Sequence, residues 1–299
     1  MSRLKGKIEW IDIVKPTRQD IDALRRIHHF HPVTLDELLQ YSERSRVERI
    51  DDYLYLTYHL PLYEPDLRTS RRGEIDFLIT KDSVVTVHYE DLTPLSSFKH
   101  LLEKNADQKK RYLSSTLLCT HRLMEEIIAF SLRQIRHIEE HIRYISEEIF
   151  AGREEEMLRK ISYVRRDILD YSVVSEPRDF LLATFLDAGI KFWGAAARPY
   201  LNELIGDHAK ITLQLKNHRA VIESLAETNN QLLEAQTNRV IRRFTVLAFV
   251  VTLPMLSIFI LGLLPFTAEI GAAKLSSILG MGMIFSLFTL YLAWKKKWL

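Results

Sequence analysis

Histidines and carboxylates crowd one short stretch of the chain, HIEEH, from His137 to His141. The run fits the H-x-x-E-H arrangement of a zinc peptidase family. On a helix the two imidazoles fall at i and i+4, on one face, where both can reach a single metal ion. The neighbourhood speaks against that chemistry. Glu147, Glu148, Glu154, Glu155 and Glu156 follow, and charge runs of this kind are mostly solvated helix faces. A second histidine group, HHFH at residues 28–31, offers metal-binding side chains too. The single cysteine, Cys119, excludes an intramolecular disulfide framework and suits a reducing compartment. Amides form a third group: Thr228, Asn229, Asn230, Gln236, Thr237 and Asn238. In a parallel helix bundle such residues can ring a path for hydrated cations. They fit an exposed or register-setting coiled-coil face equally well. No catalytic constellation emerges, and no enzyme is expected.

The elements that must carry these groups divide the chain sharply. KIEWIDI (7–13) reads as a strand; QDIDALRRIHHF and TLDELLQY have helical spacing, with Thr34 as an N-cap and Glu37 at the capping-box position. DYLYLTYHLPLY (52–63) and IDFLITKDSVVTVHYE (75–90) are aromatic and β-branched, the second broken by a turn at Lys81, Asp82 and Ser83. A small α/β domain is therefore expected over 1–92. From about Lys109, apolar residues recur at three- and four-residue steps: Leu123, Ile127, Phe130, Ile135, Ile138, Ile142, Ile145 and Ile149. AGREEE (151–156) reads as a turn into a second helix that runs to Pro177. A third helix begins after Pro199 and meets no breaker after Gly206. The expected domain of long antiparallel helices and stalk covers 93–243.

The last part has another character. Phe244 to Phe266 and Leu275 to Trp294 carry no charged side chain over 23 and 20 residues. A helix needs roughly 20 apolar residues to cross a hydrocarbon core, so both read as transmembrane helices, 244–266 and 275–294. Arg239, Arg242 and Arg243 precede the first, and Lys295, Lys296 and Lys297 follow the second. By the positive-inside rule both termini are cytoplasmic, the loop 267–274 faces outward and 295–299 is a basic tail. The opening MSRLKGKIEW holds no apolar signal-peptide core, so a cell inner membrane with a large cytoplasmic domain is expected. The net charge of only +2 suggests no nucleic-acid partner.

The order of α/β domain, long helices, stalk, two spans and basic end resembles the CorA family of divalent-cation channels over essentially the whole chain. HPVTLDELL (31–39), RVERIDDYLYLTYH (46–59), QTNRVIRRFTVLA (236–248) and the terminal KKKWL carry the likeness. It implies a homopentamer with the first span lining the axis. His31 then matches a structural position, which draws HHFH away from metal ligation. The resemblance also implies a regulatory divalent-metal site between neighbouring subunits, on Asp36, Glu37 and Asp207; the alternative is that these acids serve helix ends. Asn238 matches a pore-lining position, and Thr252 is assigned to the pore with it. Arg239, Arg242, Arg243 and the lysines match a basic collar at the inner pore mouth, although anchoring to lipid phosphate explains them as well.

One family feature is missing. Without a gap, the selecting Gly-Met-Asn falls on Gly262, Leu263 and Leu264; aligned on Pro254, it falls on Leu263, Leu264 and Pro265. After Asn238 the chain has no Asn and no Asp in any register. Mg2+ dehydrates reluctantly, so a filter must hydrogen-bond its water shell, which leucine cannot do. Prolines free carbonyls in compensation, Pro265 that of Leu261 and Pro254 that of Val250. The expected function is a divalent-cation channel for Mg2+ or for Co2+, Ni2+ or Zn2+ with altered selectivity. The alternative is a membrane effector or regulator on the same frame that answers to another ligand and passes no Mg2+.

Overall fold

The computed structural model describes residues 1–263 and 272–295, with backbone alone at 257–258, 260–263, 272–275 and 278–279. Six strands form one mixed sheet: β1 (Ser2–Lys5), β2 (Glu9–Val14), β3 (Arg46–Ile50), β4 (Tyr53–Glu64), β5 (Thr69–Ile79) and β6 (Ser83–His88), in the order β1-β2-β6-β5-β4-β3. Only β2 and β6 run parallel, Ile11 facing Val85. β4 is buried from Tyr53 to Pro61, because helices cover both sheet faces and alternation gives way to a continuous apolar run.

Two short helices, α1 (Arg18–Ile27) and α2 (Pro32–Glu37), lay Ile21, Leu24 and Leu35 over Ile11, Ile13, Tyr53, Tyr55 and Val85. Thr17 caps α1 in a capping box with Asp20. The expected cap at Thr34 is corrected. α2 begins three residues earlier, where Pro32 needs no amide partner and the His31 side chain accepts from Val33 N. Thr34 lies inside the helix and shares a hydrogen bond of 3.1 Å with the Tyr53 hydroxyl. Glu37 is thereby the last residue of α2 and makes no capping box.

α3 (Thr93–Lys104) and α4 (Ala106–Tyr112) lead into α5 (Thr116–Phe150). Trp10 packs on Phe98 of α3 at 5.2 Å on the sheet's other face. The periodic residues of α5 are all buried except half-buried Phe130. The turn to α6 (Glu154–Ser175) uses Gly152 at φ 84°, a left-handed conformation that glycine adopts without strain. α7 (Pro177–Trp193) ends at Gly194, φ 91°. α8 (Arg198–Leu263) is a single helix of 66 residues, with Pro254 inside it, and α9 is Ala272–Lys295. Residues 1–226 form one compact unit and 227 onward a second. Among the described residues no helix is long and apolar enough to cross a membrane; both uncharged stretches include positions outside the described side chains.

Candidate metal centre

Near the start of α5, His121 and Glu125 stand one turn apart on one face. Ser115 fixes that helix end, its hydroxyl accepting from Leu118 N. Glu203, in the second turn of α8, meets them. Its carboxylate is 3.2 Å from His121 Nε2, while Glu125 lies 3.7 Å from Nδ1. One ligand atom from each of the three falls within 4.8 Å of the others. His121 is only 7% exposed, and its ring meets Tyr200 edge-on at 5.2 Å. Although 3.2 Å from Glu203, Nε2 is a buried atom without a hydrogen bond, because the angle is wrong for one. A buried imidazole nitrogen 3.2 Å from the Glu203 carboxylate and not hydrogen-bonded to it suits a cation between the two, with Glu125 close by on the other side of the ring. Arg122 competes for Glu125 at 3.2 Å. Cys119 contributes nothing, since full burial raises its thiol pKa far above neutrality.

The acids singled out in the sequence lie elsewhere. Asp36 is 3.7 Å from Arg25, Glu37 pairs with Arg46, and Asp207 pairs with Lys210 at 2.6 Å. Among the described residues of one chain, no metal-ligand group joins Asp207 to Asp36 or Glu37. HIEEH is dispersed as well. His137 Nε2 bonds Asp167 at 2.7 Å and its ring lies on Tyr63 at 3.8 Å, whereas His141 only faces His137 at 6.0 Å. In HHFH, His28 packs on Phe30 and His31 caps α2.

A second buried acidic site lies in the sheet. Asp76 Oδ1 accepts from Thr57 and Tyr55 at 2.7 and 3.2 Å, and Oδ2 has no donor. Glu74 beside it faces His59 at 3.1 Å and accepts from Ser42 N. Burial, and then the Glu74 charge, push Asp76 up to about 8. A proton held on Oδ2 and shared with Glu74 accounts for the missing donor.

In the second unit, α8 and α9 meet at Val250. Pro254 has no amide to offer that carbonyl, and the Ser286 hydroxyl donates to it instead at 3.2 Å. Asn238 and Thr252 are exposed on α8, as are Arg239 and Arg243, and Lys295 is exposed on α9. Arg242 is exposed and engaged in a local interaction. Asn229 is buried with neither amide atom hydrogen-bonded. Leu261, Gly262 and Leu263 are described as helical backbone alone; Leu264, Pro265, Lys296 and Lys297 lie outside the described residues.

A family model for the CorA-like Mg2+ transporter protein matches residues 5–262. The chain belongs to the CorA family. It is 20% identical over 243 residues to the cobalt/magnesium transport protein CorA of Thermotoga maritima, covering 80% of this chain and 68% of that one. It is 20% identical over 249 residues to the protein of the same name from Methanocaldococcus jannaschii, covering 83% and 77%. The solved structure of the CorA magnesium transporter from Methanocaldococcus jannaschii superposes with a TM-score of 0.82 at 17% identity, over 100% of this chain and 94% of that chain. The full-length CmaX protein follows at 0.68 and 15% identity, over 95% and 88%. At such identities the structural likeness is one of fold. Sequence reasoning missed His121, Glu125 and Glu203. His121 and Glu125 were readable as a pair one turn apart on α5, but nothing local announces Glu203 as their third partner.

Proposed function

We propose that this CorA-family chain carries divalent cations across a membrane, as a homopentamer with both termini cytoplasmic and with weak selection for hydrated Mg2+. The observation that carries the reading is the content of α8. One helix holds Glu203 of the metal-ligand group and, from Phe244, an exposed apolar run: Phe244, Leu247, Phe249, Val251, Met255 and Phe259. Large exposed apolar surface of this extent belongs against lipid or other copies of the chain. Two spans cannot enclose a polar path, so a pore requires several chains, with Asn238 and Thr252 on the axis-lining helix.

His121, Glu125 and Glu203 would hold a regulatory metal that ties α5 to α8. One imidazole with two carboxylates suits Co2+, Ni2+ or Zn2+ better than Mg2+, which prefers oxygen and its own water. Asp36, Glu37 and Asp207 remain candidates for a second site completed by a neighbouring subunit. Each already has a basic partner that a metal must displace. Arg239, Arg242, Arg243 and Lys295 to Lys297 would form the basic collar.

The lack of any Asn or Asp after Asn238 favours a second reading, a membrane effector on the same frame that passes no Mg2+. Growth separates the two. Expression in a bacterium lacking its magnesium-uptake systems should sensitise the cells to Co2+ or Ni2+ while rescuing growth on low Mg2+ only weakly. Neither sensitisation nor rescue, with the protein in the membrane, would favour the effector.

A further inference from the structure

Between the α5–α6 hairpin and the tip of the β4–β5 hairpin lies a cavity of about 290 Å3 that the transport reading does not use. Tyr63, Tyr144 and Tyr163 line it with aromatic surface, and Arg68, Lys160 and His141 supply polar groups. The acid on its wall, Asp167, is already committed: Oδ1 accepts from Ser70 at 2.7 Å and Oδ2 faces His137 Nε2 at 2.7 Å. His137 in turn lies against Tyr63 and sets that ring's position.

The two cations rest on rings. The Arg68 guanidinium stands 5.1 Å from the Tyr163 ring centre and the Lys160 ammonium 4.1 Å from that of Tyr144, whose hydroxyl it also bonds at 2.8 Å. Cation–ring contacts hold such side chains in place without neutralising them. Arg68 has φ 52°, an uncommon conformation for a residue other than glycine, asparagine or aspartate. Burial, reinforced by His137, lowers the His141 pKa, so that ring is a neutral hydrogen-bonding group.

We propose that this cavity binds a nucleoside monophosphate, its base stacked on tyrosine and its phosphate between Arg68 and Lys160. The volume lies just under that of ordinary ligand pockets, ~300–1,000 Å3, which limits the ligand to a single base, one sugar and one phosphate. Base–aromatic stacking needs only one π-face, and three tyrosines line the cavity, each with one neighbour already on its ring. Two cations from separate elements match a phosphate ester, whose charge is about −1.5 to −2 at neutral pH; a monocarboxylate would leave one of them unneutralised. Neutral His141 can bond a sugar hydroxyl without adding charge. The proposal concerns binding and stands apart from transport.

Calorimetry on the full chain in detergent tests it, with AMP, GMP, CMP and UMP as probes and adenosine and inorganic phosphate as controls. At least one nucleotide should bind with Kd below about 1 mM, and both controls at least about tenfold more weakly. Lys160→Ala and Tyr144→Ala should each weaken that binding by about tenfold, while Tyr144→Phe, which keeps the ring, should retain it. Binding by none of the four nucleotides would overturn the proposal. So would phosphate binding as tightly as the nucleotide, or affinity unmoved by both alanine variants.

Discussion

The two units of the chain treat apolar side chains in opposite ways. In residues 1–226 the large ones of the sheet and α3 face inward, although Phe150 and Phe180 do not: Trp10 is 1% exposed and Tyr55, Phe77 and Phe98 are equally enclosed. From residue 227 they face outward: Phe244 is 67% exposed and Phe249 59%. Polar atoms invert too. In the first unit buried carboxylates gather partners, as Asp76 does with Thr57 and Tyr55. In the second, a buried hydroxyl, Ser286, serves a backbone carbonyl that a proline left open. One unit encloses large apolar side chains in a core; the other leaves them on its surface, where the proposed function would set them against lipid or further copies of the chain.

Truncation should make this contrast visible. Trp10→Ala should destabilise the first unit by about 3–5 kcal/mol, through lost burial and the cavity left behind. Phe249→Ala should change its stability by less than about 0.5 kcal/mol. Denaturant titration of both variants in detergent, followed by circular dichroism, checks this. Equal losses would break the distinction between the units.

Metal affinity sharpens it next. Disturbing groups that merely support a ligand costs about 10–100-fold in affinity, so losing a ligand itself, by His121→Ala or Glu203→Gln, should exceed that upper figure for Co2+. Equilibrium dialysis measures it. The companion variant Glu37→Ala with Asp207→Ala should leave this binding intact but remove any protection from proteolysis that millimolar Mg2+ gives the assembled protein. Unchanged Co2+ binding in both His121→Ala and Glu203→Gln would remove the candidate centre.

Buried acid gives the first unit a pH dependence. Asp76 has a folded pKa of about 8, above the ordinary aspartate value of 3.8. As pH rises from about 4 to 8, the unfolded chain releases this proton while the folded chain keeps it, so stability falls across that window and levels off above it. Asp76→Asn should flatten that fall, measured as thermal midpoints over the same range. A fall of the same size in the variant would place the cause elsewhere.

The smallest loss predicted for any residue with a named partner lies in the second unit. With α8 and α9 as the proposed membrane helices, Ser286→Ala should cost about 0.6 kcal/mol. In a Pro254→Ala background the restored amide bonds Val250, and the loss should shrink. A double-mutant cycle read by unfolding in bicelles measures the coupling, and strict additivity would dissolve the pairing of α8 with α9.

What could be read in the chain beforehand was mostly periodic or local. The stripe from Leu123 to Ile149 gave α5, and the break at Lys81 to Ser83 separated β5 from β6. Pro254 revealed that the Val250 carbonyl was free, though not that Ser286 would fill it. α7 escaped notice because PRDFLLATFLDAGIKFW is apolar nearly all round; Leu181 and Phe185 are buried while Phe180 is exposed, so no clean stripe marks it. α2 was misplaced because Thr34 and Glu37 imitate a capping box, whereas Pro32 had already started the helix. The metal-ligand group was hidden for a different reason. Its members lie on two helices far apart in sequence, and only packing brings Glu203 to His121.

Divalent-ion flux into proteoliposomes tests the central claim most directly, with Mg2+, Co2+, Ni2+ and Zn2+ measured side by side and cobalt hexaammine as inhibitor. In the proposed pentamer leucine would stand where the family has its selecting Asn; such a ring offers no oxygen and tends to dewet, so discrimination among these ions should be poor, Mg2+ flux low and hexaammine block weak. Strong, Mg2+-selective uptake blocked by hexaammine would contradict the account of the outer mouth, and no flux of any of the four ions would contradict transport itself.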